Sequence, residues 1–416
     1  MKKWLAGILC VVGLLFVSCG GSGGQMEDGV YEPEIELDYY TDYDEHPNAR
    51  FLEDVDYLFY ILENNFPLFN AAERSLGIDV AEIKATTRFT IENVTTINDT
   101  HFQQRLQNLF FSHFNGFGHL FLSDDWFYNL IFHVLPDSPW IYVLDNPASR
   151  NFYGEVKVDF GQQGEFVVQN NVHIERVEEG RIARITVNSF MQDNITVDRE
   201  IILPFLQSVA DYEHLIIDIR GNGGGSSAYF PQNFMQYLID ESLTYYYYLF
   251  TMDGVHVRRF YNDKPLPWND FSFSPIPYGY LDGLPYLHPD DAVVLRYFAT
   301  VESTIYPSEY TVGFNGKIWL LVDGHNFSAA DYVATITQQT GFATIVGEPT
   351  SGAGIGVAPI VFALPNTGVS GRFSGVYSTD IRGRNGYEFT TQPDIFNRDG
   401  MDALATVLAI IEEGDY

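Results

Sequence analysis

A serine at the predicted start of a helix is the first residue of this sequence that could do chemistry. Ser328 lies in the segment HNFSAADYVATI, residues 325 to 336, and Asp331 follows it by three positions. A serine and an acid at this spacing form a capping box, in which they satisfy free N–H groups at a helix start. The positive end of the helix dipole also suits the nucleophile of an acyl-transfer enzyme. Both interpretations stay open, because one residue can serve both.

Glycine-rich loops follow three predicted core strands, and Ser328 lies after the second of them. The three segments are LIIDIRGNGGGSS, LLVDGHNFSAAD and IVGEPTSGAG. Sheets of α/β proteins place their sites where strands end, and the bare N–H groups of a glycine cluster can bind an oxyanion. We therefore expect the glycine cluster and Ser328 to meet at one edge of a sheet.

These segments resemble the tail-specific, or C-terminal processing, serine peptidases. The resemblance covers roughly residues 50 to 416 and rests on DIRGNGGG, SAAD and GEPTSGAG. It implies an α/β core of the crotonase and ClpP type, with Ser328 as nucleophile. It also implies an oxyanion hole formed by the N–H of Ala329 together with that of Gly223 or Gly224.

The base that activates the serine cannot be the lysine that many members of this family use. Ala353, in GEPTSGAG, stands where that lysine would be. The six lysines of the chain are at positions 2, 3, 84, 157, 264 and 317, and none follows Ser328. A Ser/Lys dyad of the usual kind is therefore excluded.

A second branch of the family, similar to the core of tricorn protease, implies a histidine and a glutamate instead. FNGFGHLFL matches its histidine segment at His119, and NGYEFTTQPDI resembles its glutamate segment at Glu388. The imidazole would take the serine proton, and the carboxylate would orient the ring. Such a base loses activity as the pH falls through ~6.5. Two departures are Phe117 in place of an acid, and Phe389 with Thr390 in place of glycines.

Two other polar residues near these segments have competing interpretations. His325 is a rival base, because it lies only three positions before Ser328. Arg220, beside the glycine cluster, is interpreted as a structural ion-pair partner. The sequence contains no H-E-x-x-H motif and no phosphate-binding loop, so we expect neither a metal nor a cofactor.

The N-terminus indicates export. Residues 1 to 18 have two lysines and then an apolar run, which is typical of a signal peptide and too short to span a membrane. LFVSC resembles a bacterial lipobox and predicts lipidation of Cys19, although an ordinary signal peptide followed by a chance cysteine is the alternative. Residues 19 to 46 then form an acidic tether. We expect the protein in a bacterial cell envelope, lipid-anchored on the exported side of a membrane.

Charge and patterning set the remaining expectations. The net charge of -32 excludes nucleic acid as a partner. Helical periodicity predicts a helical N-terminal domain over residues 47–125, and short alternating runs predict a small β-rich segment over 126–180. Alternating strands and helices predict the α/β core over 181–416, with an aromatic-rich insertion at about 240–310. Most relatives carry a PDZ domain before the core. We cannot trace its pattern and predict that it is absent or much reduced.

Three functions fit these expectations. The first is a serine peptidase that cleaves peptides or protein C-terminal tails through an acyl-enzyme, with Ser328, His119 and Glu388 as its catalytic residues. The second is a peptide- or lipid-binding lipoprotein that keeps the fold without turnover. The third, an acyl-CoA enzyme of crotonase type, suits the fold but not an exported protein.

Overall fold

The computed structural model describes residues 46–134, 139–154, 168–263 and 272–414. The predicted signal peptide, Cys19 and the tether up to residue 45 lie outside these ranges, so their assignments stay predictions. None of the helices in the described ranges combines the length and apolar character that crossing a membrane requires.

The N-terminal region is helical, as its periodicity predicts. It contains helices α1 (Ala49–Asn65), α2 (Phe69–Leu76), α3 (Val80–Asn93) and α4 (Asp99–His113). Asp79 and Asn98 cap the third and fourth helices, because each side chain accepts a hydrogen bond from the N–H three residues on. The buried faces of these helices pack into one apolar core with parts of the C-terminal half.

Residues 126–180 differ from the β-rich segment that we predict. Their described part contains helices α5 (Asp125–Val134), α6 (Pro139–Leu144) and α7 (Pro147–Tyr153), followed by one strand, β2 (Val172–Glu178). Asn146 caps the last helix and Pro147 occupies its first turn, which is a helix start signal. The predicted strand EVKVDF lies outside the described residues, and the absence of a PDZ domain stays a prediction.

A six-stranded sheet forms the core. Its strands are β2, β3 (Ile182–Val187), β4 (His214–Asp218), β8 (Lys317–Val322), β9 (Thr344–Gly347) and β13 (Ile395–Phe396), in the order β13-β9-β8-β4-β3-β2. All neighbours are parallel except the antiparallel pair β2 and β3. Helices α8 (Asn194–Ser208), α12 (Ala329–Thr340) and α13 (Ala403–Glu413) belong to this part of the chain. Successive residues of β8 enter two different apolar clusters, so both faces are covered.

The aromatic-rich insertion builds a second sheet. Strands β5 (Leu243–Thr251), β6 (Ser274–Pro275) and β7 (Tyr297–Ile305) are joined by β12 (Tyr377–Thr379) in the order β12-β5-β7-β6. The run YYYYLF lies within β5, as expected for a strand. Short helices α9 (Gln236–Leu238), α10 (Val255–Arg258) and α11 (Pro289–Ala292) accompany these strands.

A three-stranded sheet connects the helical region to the C-terminal half. It consists of β1 (Phe121–Leu122), β11 (Ser370–Phe373) and β10 (Ile360–Ala363), with antiparallel neighbours. Strand β1 follows His119 by two residues. The sheet therefore fixes the histidine segment to residues that lie about 250 positions later in the chain.

Candidate active site

Ser328 lies in the loop between β8 and α12 and has an unusual backbone conformation. Its φ is 53° and its ψ is -123°, and its side chain makes no capping hydrogen bond. The predicted capping box is therefore wrong. Asp331 is buried and accepts hydrogen bonds from the Thr350 hydroxyl and the Gly354 N–H instead. Because the hydroxyl of Ser328 is not used as a cap, it is free to face another group.

The backbone before His119 is positioned by close packing at Gly118. A Cβ at Gly118 would lie 2.3 Å from the Phe66 ring, so a side chain cannot be accommodated there. Gly118 also has φ of 65°, which favours glycine, and its carbonyl accepts a hydrogen bond from Ser374 N. These contacts fix the histidine segment between α1 and β11.

His119 meets Ser328 across the boundary between the helical region and the core. The distance from His119 Nε2 to Ser328 Oγ is 3.1 Å, although the two residues are 209 positions apart. The imidazole also packs against the Phe327 ring, with centroids 4.9 Å apart. Burial, assisted by the positive charge of Arg372, lowers the pKa of His119 to about 3. The ring is therefore neutral at ordinary pH and can accept the serine proton.

The second nitrogen of His119 contacts a tyrosine that the sequence analysis does not identify. His119 Nδ1 lies 2.7 Å from the hydroxyl of Tyr387, which is only 8% exposed. Burial, together with the negative charge of Asp331, raises the pKa of Tyr387 well above its usual value, so the phenol stays neutral. The position of Tyr387 next to Glu388 is the only signal that could have indicated it.

Glu388 does not contact His119, contrary to its predicted role. Both carboxylate oxygens of Glu388 bind Arg74 of α2, at 2.9 Å from Nε and 2.8 Å from Nη2. The pairing is bidentate, which is the strongest geometry for an arginine and a carboxylate. Tyr387 and Glu388 lie in a turn that a hydrogen bond from Phe389 N to Asn385 O closes, and their side chains have different partners, His119 and Arg74.

Arg74 also holds the insertion. Its guanidinium binds Asp291 of α11, a fully buried carboxylate that accepts a second hydrogen bond from the Tyr377 hydroxyl at 2.8 Å. Three separate parts of the chain therefore meet at one side chain, Arg74: the helical region, the insertion and the loop that carries Tyr387.

The two glycines predicted for the oxyanion hole differ in whether their N–H groups are already hydrogen-bonded. The N–H of Gly224 donates to Asn222 Oδ1 at 2.8 Å and is therefore occupied. A Cβ at Gly224 would lie 2.9 Å from Ala329 N, so only glycine allows this approach to the serine loop. Within the described residues, the N–H groups of Gly223 and Ala329 have no hydrogen-bond acceptor. Those two groups are the donors available to an oxyanion.

Backbone strain is concentrated in this region. The described residues other than glycine include five with positive φ, and three of them are His119, Ser328 and Ala353. Positive φ is costly for residues with a Cβ and persists where the surrounding structure enforces it, often at functional sites. Ala353, which stands at the position of the family's lysine, is buried beside the serine loop.

The remaining predicted residues lie as follows. The side chain of His325, the rival base, is 82% exposed and lies beside Asp323. The histidine that contacts Ser328 is His119. Arg220 forms a bidentate pair with Asp218 and binds Asp402, as expected of a structural ion-pair partner. Among the described residues, no three His, Cys, Asp or Glu side chains gather as a metal site.

The chain belongs to peptidase family S41, whose model matches residues 181–395. The match contains both the glycine cluster and Ser328. His119 lies outside it, in the helical region. No curated protein matches this chain.

Solved structures share the fold over most of the chain. A candidate peptidase from Parabacteroides merdae has 19% identity and a TM-score of 0.53, with coverage of 88% of this chain and 97% of that one. Mature CPAF in complex with lactacystin has 13% identity and a TM-score of 0.56, with coverage of 88% and 99%. These similarities establish the fold, a helical N-terminal region followed by an α/β peptidase core.

Proposed function

We propose that this chain is a serine peptidase in which Ser328 is the nucleophile and His119 its general base. The observation that carries the proposal is the 3.1 Å contact between His119 Nε2 and Ser328 Oγ. A neutral imidazole at this distance can take the hydroxyl proton as the oxygen attacks a carbonyl carbon. Membership of peptidase family S41 supports this chemistry.

The reaction would proceed through an acyl-enzyme. Ser328 Oγ bonds to the carbonyl carbon, its proton moves to His119 Nε2, and the N–H groups of Gly223 and Ala329 stabilise the oxyanion. When the C–N bond breaks, the imidazolium gives its proton to the leaving amine. Water then attacks the ester with the same base, which releases the acid product and restores the serine.

Tyr387 would act as a positioning residue in this reaction. If Nε2 is to accept a proton, the proton of the neutral imidazole must be on Nδ1, and the Tyr387 oxygen is its acceptor. This contact fixes both the tautomer and the ring orientation. A neutral phenol stabilises the imidazolium less than a carboxylate does, so we expect a slower enzyme than one with an acid at this position.

Membrane attachment is a separate part of the proposal and rests on the sequence alone. LFVSC followed by GGSGG supports a lipid on Cys19 and a flexible tether. Replacement of Cys19 by serine is expected to move the mature chain from the membrane fraction to the soluble exported fraction. If the variant stays in the membrane fraction as completely as the wild type, the lipid anchor is ruled out.

Labelling by a fluorophosphonate probe, together with hydrolysis of fluorogenic peptides, tests the catalytic proposal. Folded wild-type protein should be labelled on one residue, Ser328, and Ser328→Ala should remove both labelling and hydrolysis. Folded wild-type protein that shows neither would overturn the peptidase proposal. The fold would then serve the other function considered from the sequence, a binding lipoprotein.

A further inference from the structure

Three half-buried side chains extend from His119 along one face of the three-stranded sheet. His119, Phe121 and Arg372 are each partly exposed, and Phe121 is directly paired with Arg372 across β1 and β11. The alternating residues Leu120 and Leu122 are buried. Phe121 and Arg372 are direct partners in the antiparallel pair, so their side chains share one face of the sheet, and this face begins two residues after the catalytic histidine.

Arg372 forms no ion pair within the described residues. Its guanidinium lies 4.1 Å from the centroid of the Phe127 ring and 5.2 Å from that of Phe121. Its Nε is buried, and within the described part of the chain it has no hydrogen-bond partner. Burial lowers the pKa of Arg372 to about 10, and Asp124 offsets this only in part. The group nevertheless stays protonated at neutral pH.

An arginine in this state is unusual in so acidic a protein. The chain has 55 acidic residues and 23 lysines and arginines, so carboxylate partners are abundant. A desolvated guanidinium without a hydrogen-bonded carboxylate is costly, and two aromatic rings hold this one in place. A rigid, partly desolvated guanidinium with unused donors is well suited to bind a carboxylate supplied by a ligand.

The position of Arg372 indicates which part of a substrate it would contact. In the proposed reaction His119 protonates the leaving amine, so the segment after the scissile bond lies on the His119 side of Ser328. Phe121 follows His119 by two residues, and extended chains advance about 3.3 Å per residue. A substrate segment that runs beside His119 and Phe121 would therefore reach Arg372 about two residues beyond the cleaved bond.

We propose that Arg372 binds a carboxylate of the substrate on the leaving-group side of the scissile bond, an inference that rests on the proposed peptidase function. The carboxylate has two sources: the C-terminus of a short leaving segment, or an Asp or Glu side chain within a longer one. In the first case the enzyme removes short C-terminal segments. In the second it cleaves before an acidic residue.

Three matched peptides distinguish the sources. They share one scissile bond and end, two residues after it, in a free carboxylate, in an amide, or in an amide with Asp at the final position. Wild-type protein is expected to cleave at least one carboxylate peptide with kcat/KM about tenfold to a hundredfold above the neutral amide. Equal values for all three peptides, with Ser328 still labelled, overturn the inference and leave the peptidase proposal intact.

Variants test whether Arg372 causes the preference for carboxylate peptides over the amide peptide. Arg372→Gln is expected to bring the carboxylate-to-amide ratio of kcat/KM towards one, and Arg372→Lys is expected to retain only part of it. The ratio does not depend on the fraction of folded enzyme. Arg176→Gln is the matched control, because Arg176 also stacks on a phenylalanine, Phe205, but lies on β2 at the edge of the core sheet. Its ratio should equal that of the wild type.

A measurement on wild-type protein alone covers the case in which neither Arg372 variant folds. Short product peptides with a free C-terminal carboxylate should inhibit about tenfold more strongly than their amides if the C-terminus is the ligand. Peptides with an internal acid should do so if a side chain is the ligand. Equal inhibition by all product peptides counts against the carboxylate site.

Discussion

The two halves of the candidate active site are built in different ways. Ser328 and the glycine cluster come from consecutive strand ends of one parallel sheet, so their proximity follows from the topology of the core. His119 comes from the helical region, and its position depends on a small sheet that pairs β1 with β11. The serine half is therefore local and self-contained. The histidine half depends on packing between distant segments and should be the easier half to displace.

Removal of either proposed catalytic group, Ser328 or His119, should give the largest effect. We expect Ser328→Ala and His119→Ala each to lower kcat by about a thousandfold or more, because the two residues act as one unit. His325→Ala is the control and should stay within a factor of about three, because its exposed side chain does not contact Ser328. If His325→Ala has the larger effect, the assignment of the base to His119 is wrong.

A companion variant separates strain from chemistry in the serine half. Ser328 has positive φ and no capping bond, so Ser328→Gly removes the nucleophile and also relieves the backbone. We expect its free energy of unfolding to exceed that of Ser328→Ala by about 1 kcal/mol, with both variants inactive. Denaturant unfolding of the two proteins measures the difference. A glycine variant that is less stable than the alanine variant would contradict the strained conformation.

The histidine half is tested by two adjacent residues. Tyr387→Phe removes the partner of His119 Nδ1 and should lower kcat about tenfold to a hundredfold. Glu388→Gln should change kcat by less than about threefold, because the carboxylate binds Arg74 and not the imidazole. The opposite ranking of the two variants would restore the role that the sequence assigns to Glu388. Peptide hydrolysis at neutral pH, corrected for folded protein, measures both.

This pair of residues also shows what the sequence could and could not reveal. The serine loop and the glycine cluster were predictable, because strand, loop and helix follow one another within short segments. The choice between Tyr387 and Glu388 was not predictable. It depends on Arg74, which is 314 positions away and draws the glutamate to the other side of its loop. No local pattern carries that information.

Helices and strands, like the site residues, divide into those that the sequence predicts and those that it does not. The helices of residues 47–125 were predictable from their apolar spacing, whereas the sequence predicts a β-rich segment where three short helices lie between residues 125 and 153. PWIYVL is a short run of aromatic and β-branched residues, which favours strands in isolation. In the folded protein this segment, α6, lies against β10, and tertiary packing decides its conformation.

The ion pairs of Arg74, which join the helical region to the insertion and to the loop of Tyr387, are expected to have a moderate effect on stability. Among the described residues, Arg74→Met leaves the buried carboxylate of Asp291 with only the Tyr377 hydroxyl, and it should lower the free energy of unfolding by about 3 kcal/mol. Arg50→Met is the matched control. Arg50 pairs with Asp99 but has a side chain that is 48% exposed, so its removal should cost no more than about 1 kcal/mol. Similar losses for the two variants would show that the Arg74 cluster does not hold these three parts of the chain together.

The smallest expected effect is that of pH on activity between about 5 and 8. An exposed histidine base would lose half of its activity near ~6.5. Burial and the charge of Arg372 lower the pKa of His119 to about 3, so the ring stays neutral across this window and kcat/KM should be nearly flat.

Stability depends on pH in a different way, because His119 binds a proton near pH 6.5 in the unfolded chain but only near pH 3 in the folded chain. The contribution of His119 to the free energy of unfolding, measured as the difference between wild type and His119→Ala, should therefore decrease as the pH falls between these values. Kinetics and denaturant unfolding, measured on the same samples from pH 4 to 8, separate the two effects. An acid limb of kcat/KM centred between pH 6 and 7, in protein that is still folded, would mean that His119 is solvated or paired with a negative charge. The burial of His119, to which its low pKa is attributed, would then be wrong.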